Sequence, residues 1–190
     1  MNTAMALSAY STYSLEDVAR ESPNTVKFCQ MQFFSDRQLT EMLIKRAEKA
    51  GYSAVLITVD TPRFSKHKGR AGFSLPRHLK FANFVSLQGN WKRGLKSNSE
   101  VEIYLKAVTD SSVVWESLDW LRSITSLPIV VKGILTAEDA RLAAQHGVQG
   151  ILVSNHGGRQ LDGVQATVCV MTYGFPSSFY NYIRGNLDLA

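Results

Sequence analysis

Residues 127–158 read LPIVVKGILTAEDARLAAQHGVQGILVSNHGG. Two apolar runs rich in β-branched residues, LPIVVKG (127–133) and GILVSNHGG (150–158), bracket a stretch with the marks of a helix. Thr136-Ala-Glu-Asp139 has the spacing of an N-terminal cap, in which the threonine hydroxyl accepts a backbone N–H in the first turn. The spacing predicts a helix to about His146, with Gly147 as its stop. Two buried strands joined by a helix, not by a tight turn, form a parallel crossover.

The same rhythm extends upstream. VKFCQMQFF (26–34) reads as a strand, and Ser35-Asp-Arg-Gln38 as a capping box. Leu39, Met42, Leu43 and Ala47 then follow at helical spacing, and Gly51 closes the helix. AVLITVD (54–60) is a near-continuous apolar run, which suits a strand buried on both faces. VVWESLDWLRSI (113–124) reads as a helix, and Ser14-Leu-Glu-Asp17 caps a short one after MALSAYS. Strand and helix in alternation predict an α/β fold with a parallel sheet.

The totals bound the function. With 190 residues, 45% hydrophobic and 19% charged, the chain can build one domain with a core. No run of eighteen apolar residues exists, so no membrane span is expected. MNTAMALSAYSTYS lacks the basic residues and long apolar stretch of a signal peptide. Cys29 and Cys169 make no disulfide framework, and both are expected to be buried thiols. The net charge is +5, and its source is local. Between Thr61 and Ser99 there are nine Lys or Arg and no Asp or Glu, which leaves 12 basic against 16 acidic residues elsewhere. Such a segment is read as a long basic loop excursion over 61–99, able to guide a small carboxylate or simply solvated. Its aromatics do not interleave as a stacking platform, so no nucleic-acid partner is expected.

In parallel α/β folds chemistry collects at the carboxyl ends of the strands. Those ends hold Ser8 and Tyr10, Gln30 and Gln32, Thr58 and Asp60, Lys132, and Ser154, His156 and Arg159. A packing role predicts caps and turn residues there, not lysine, histidine, arginine and aspartate together. His156 can take a proton near neutral pH, and Asp60 would orient its ring if the two meet. Arg159 offers a planar fork for a carboxylate, and Lys132 a fixed positive charge. Gly157 and Gly158 fit either a tight turn or the close approach of a flat ligand. Together these residues suit proton removal beside a bound carboxylate while a cofactor takes electrons.

SNHGGRQLDG (154–163), with LPIVVKGI upstream and ITVDTPR before it, resembles the FMN-dependent α-hydroxy-acid oxidases, the glycolate oxidase group. The resemblance runs from about Ala6 to Thr167. It implies a (β/α)8 TIM barrel that oxidises (S)-2-hydroxy acids to 2-oxo acids and passes electrons to oxygen, giving peroxide. A dehydrogenase with another acceptor would carry the same motif. The resemblance implies that His156 is the base, Asp60 its partner, Arg159 the substrate-carboxylate clamp, and Lys132 the cation beside the flavin. Ser8, Gln30, Thr58, Ser154 and Gly157 fall on flavin-contacting positions, and Lys132, His156 and Arg159 face the flavin as well. Tyr10 and Gln32 fall in the substrate pocket, where the family pattern has tryptophan and tyrosine respectively. His67 stands near an expected second arginine, for which Arg63, Lys66 or Arg70 could substitute.

By this resemblance residues 1–167 form a partial barrel, about strands 2–6 of eight, truncated at both ends, and 168–190 form a divergent tail. The tail, VCVMTYGFPSSFYNYIRGNLDLA, shows no family pattern and no phosphate-binding glycine loop. Weak FMN binding and marginal stability follow as expectations, with Phe175, Phe179, Tyr180 and Tyr182 available to cover the open inner face. Two outcomes are expected: a flavin oxidase with impaired activity, or a non-catalytic fragment that associates with full-length subunits or with its own copies. The family is typically peroxisomal. The ending Asp188-Leu189-Ala190 is not the usual peroxisomal tripeptide, which leaves the cytoplasm open.

Overall fold

The structure is a computed structural model and describes residues 3–62, 75–76, 78–84 and 98–174. Five parallel strands lie in chain order: β1 (Ala4–Ser8), β2 (Val26–Met31), β3 (Ala54–Thr58), β4 (Ile129–Ile134) and β5 (Gly150–Val153). Between them run α1 (Leu15–Glu21), α2 (Arg37–Lys49), α3 (Asn98–Val108), α4 (Glu116–Ile124) and α5 (Ala137–Gln145). A sequential parallel sheet of this kind, with helices on one face, is a partial barrel.

The period-2 alternation of each strand separates two environments. Cys29, Met31, Val55, Ile57, Ile129 and Val131 are buried and join the core cluster that includes Leu39, Leu43 and Ile44 of α2. The opposite face carries Ser8, Gln30, Leu56, Lys132 and Leu152. Register aligns that face: Ser8 pairs with Gln30, Gln30 with Leu56, Thr58 with Lys132, and Lys132 with Leu152. Only β3, in the middle, is buried at every position.

Helix starts follow local chemistry. Ser14 and Thr136 cap α1 and α5 as expected, each accepting the N–H of an aspartate three residues on. At α2 the cap is Asp36, not Ser35. Its carboxylate accepts from the N–H groups of Gln38 and Leu39, and the Ser35 hydroxyl donates instead to the Val108 carbonyl. A carboxylate beside a serine wins because it also complements the helix dipole.

Several boundaries differ from expectation. β2 stops at Met31, and Phe34 instead makes an isolated antiparallel bridge to Thr109. β3 stops at Thr58 and β5 at Val153, and α4 begins at Glu116. Beyond those points the backbone turns to present polar groups, so apolar character outlasts pairing. Helix α3 has no counterpart in the sequence reading. Cys169 is exposed, whereas Cys29 is buried as expected. Its neighbour Val170 reaches the core, so residues just past Thr167 pack on the domain. Most of the basic segment, with Arg63, Lys66, His67 and Arg70, lies outside the described residues, as do the four tail aromatics. Midway along it, Asn83 is fully buried, accepts from the Leu15 N–H and donates to the Ala9 carbonyl.

Candidate active site

The strand-end residues converge on one cleft of about 670 Å³, with Asp60 standing behind it. That volume lies within the usual range for small-molecule and cofactor sites. Ala6, Leu56 and Leu152 supply apolar wall, while Ser8, Gln30, Thr58, Lys132 and Ser154 supply polar groups. Gln30 Nε2 donates to Thr58 Oγ1 at 2.8 Å. Ser8 Oγ accepts the Tyr10 N–H, and Ser154 Oγ accepts the His156 N–H, at 3.1 and 3.0 Å. Both serines therefore sit in small turns that fix their oxygens at the sheet edge.

At one end of the cleft three titratable groups meet. His156 Nδ1 lies 2.8 Å from Asp60 Oδ1, across 96 residues of sequence. Lys132 Nζ lies 3.2 Å from Asp60 Oδ2 and 3.5 Å from His156 Nδ1. The Asp60 side chain is only 9% exposed, so it sits in partial desolvation between Lys132 and His156. One carboxylate thus meets the imidazole and the ammonium through separate oxygens.

Backbone conformation aims these groups. A register shift between Lys132 and Ile134 marks a bulge at Gly133, where φ is 113°. Bulges re-aim side chains, and this one precedes the turn of the chain toward α5. A Cβ at Gly133 would stand 2.6 Å from Asp60 Cβ, so the missing side chain is what lets Asp60 approach. After β5, the Asn155 side chain accepts the Gly157 N–H. His156, Gly157 and Gly158 then take φ of 59°, 68° and 69°. The left-handed turn itself requires the two glycines, and Gly157 also lines the cleft.

Arg159 borders the cleft, and its Nε donates to the His156 carbonyl. Tyr10 and Gln32 meet at the far end, the phenol donating to Gln32 Oε1 at 3.3 Å. Burial pushes the Tyr10 phenol up to about 12, with Thr109 opposing, so it remains a protonated donor. The sequence reading missed Thr61 and Gln160, which also line the cleft. Thr61 is buried and donates to Asp60 Oδ1, while Gln160 Nε2 donates to Thr61 Oγ1. Both lie next to residues that were read, in ITVDTPR and HGGRQ, and small polar residues at strand ends are easily taken for turn formers.

A family model described as FMN-dependent dehydrogenase matches residues 1–173. The chain belongs to this family. The match ends past Thr167, where Val170 enters the core. Among curated members of the FMN-dependent dehydrogenase family, 2-hydroxyacid oxidase 1 of Mus musculus is 45% identical over 175 residues, covering 90% of this chain and 47% of that protein. A mandelate oxidase variant solved with (S)-mandelic acid is 31% identical with a TM-score of 0.74, covering 97% of this chain and 47% of that one. The flavin-binding domain of baker's yeast flavocytochrome b2 is 29% identical with a TM-score of 0.71, over 97% of this chain and 41% of that one. The chain spans about half the length of the curated relatives it matches.

Proposed function

We propose that this chain takes part in FMN-dependent oxidation of (S)-2-hydroxy acids to 2-oxo acids, with oxygen as acceptor and peroxide as product. The observation that carries the reading is the 2.8 Å contact of His156 with Asp60, beside Lys132, at the end of a polar-walled cleft. Family membership and the oxidase relatives support it. A peroxisomal setting goes with the same reading.

The cleft fits a flavin ring. It combines apolar wall with the hydroxyls of Ser8, Thr58 and Ser154 and the amide of Gln30, a donor set suited to a ring with one polar edge. Those residues would hold the ring, with the Gly157 backbone close to it and Lys132 supplying positive charge. When bound, FMN supplies the two-electron acceptor. His156 accepts the proton of the substrate hydroxyl at Nε2, with Nδ1 turned to Asp60. Arg159 pairs with the substrate carboxylate in the bidentate geometry a guanidinium allows. Tyr10 and Gln32 close the pocket, one as donor and one as amide.

The test is a visible spectrum of the chain after FMN addition and desalting, followed by peroxide detection with a panel of 2-hydroxy acids. Flavin bands perturbed by the chain and weakened by desalting, with peroxide formation in excess FMN, are expected, and His156→Ala should keep the perturbation while losing peroxide. A colourless protein with no peroxide would reject the proposal.

A further inference from the structure

The structure assigns a positioning role to Thr61 and Gln160: together they latch the His156 loop onto Asp60 and keep the proton on Nδ1. The inference rests on reading His156 as the base.

Asp60 Oδ1 receives two groups, His156 Nδ1 at 2.8 Å and Thr61 Oγ1 at 3.2 Å. Thr61 Oγ1 also lies 3.3 Å from His156 Nδ1. Two arrangements satisfy these contacts. In one, threonine and imidazole both donate to the carboxylate, and Nε2 keeps its lone pair. In the other, threonine or Lys132 donates to Nδ1, the ring carries its proton on Nε2, and a lone pair faces Asp60 Oδ1 at 2.8 Å. Only the first leaves Nε2 able to accept a proton.

A carboxylate oxygen, which can only accept, lies 2.8 Å from Nδ1 and favours the first arrangement, and Gln160 braces it. Gln160 Nε2 donates to Thr61 Oγ1 at 3.2 Å, across 99 residues. This bond fills one acceptor site of the threonine oxygen, whose single hydrogen goes to Asp60 Oδ1 at 3.2 Å. It is also a direct tie between the loop after β3 and the loop after β5. Gln160 follows Arg159 in the turn that carries His156, so the tie restrains both. Thr61 is buried, which makes its polar contacts hard to replace with water.

The experiment is NMR of the full chain labelled with 15N-histidine, with His156→Ala to assign the signal. It is recorded where the ring is neutral and needs neither flavin nor turnover. The native chain should show a proton on Nδ1 that exchanges slowly with solvent. Thr61→Val and Gln160→Leu should speed that exchange about tenfold, the factor matching the net worth of one hydrogen bond, and bring in the Nε2–H form. Thr61→Ser, which keeps the hydroxyl, should restore native behaviour. Backbone amide spectra verify that each variant is folded, and two variants guard against the loss of one. Native exchange and tautomer in both folded variants would overturn the latch alone. A native chain protonated on Nε2 would overturn the base reading and the latch with it.

Discussion

His156 takes a left-handed backbone conformation at φ 59°, and it is the one non-glycine with positive φ among the described residues. Such a conformation costs an L-residue roughly 1–2 kcal/mol, so the contacts to Asp60 and Ser154 must hold it there. The sequence shows the chemistry of position 156 but not this strain, because imidazole and glycines also suit an ordinary turn. Asp60 and Lys132 were legible for a different reason: charges directly after apolar runs have few packing roles. Thr61 and Gln160 were not, since their meaning depends on a contact between distant loops. The two cysteines give a residue-scale prediction. Burial pushes the Cys29 thiol up to about 12, whereas Cys169 is exposed. In the folded chain at pH 8, iodoacetamide should label Cys169 and leave Cys29 unmodified, with both labelled in denaturant; mass spectrometry of the digest reads this directly.

Among the elements, β4 depends on one glycine. Alanine at position 133 would place a methyl group 2.6 Å from Asp60 Cβ and force a side chain into φ 113°. Gly133→Ala should cost about 1–3 kcal/mol in denaturant unfolding and displace Asp60 from Lys132. A second prediction concerns α2. The Thr125 hydroxyl holds the Glu48 carboxyl below its usual value; partial burial opposes this, while Lys45 and the Ser126 N–H add to it. A lowered carboxyl stabilises the fold above its unfolded value near 4.5 and loses that effect as pH falls through the folded value. The melting-temperature gap between native chain and Glu48→Gln should therefore be open at neutral pH and close in acid. Element identity was well read where caps and periodicity agree, as at Thr136. It failed at α3, where Ile103 is 68% exposed while Leu105 is buried, which blurs the apolar face. Strand ends were overextended because apolar character does not mark where pairing stops.

Among the described residues, the helix-side face is packed and the cleft side is open, and β1 and β5 each have one strand neighbour. Local opening should therefore start at the edges. Amide hydrogen exchange is expected to be slowest in β3, where every residue is buried, and fastest among the strands in β1 and β5. Uniform protection across all five would contradict this.

The His156–Asp60 contact straddles that gradient. Asp60 follows the central strand and Lys132 lies on its neighbour, but His156 rides on the edge. Peeling β5 away would carry the imidazole off its carboxylate while the rest of the sheet stays zipped. Loss of the imidazole–carboxylate contact would then precede loss of fold on heating, and a ligand bridging Ser8 on one rim and Ser154 on the other would act as a stitch across that side.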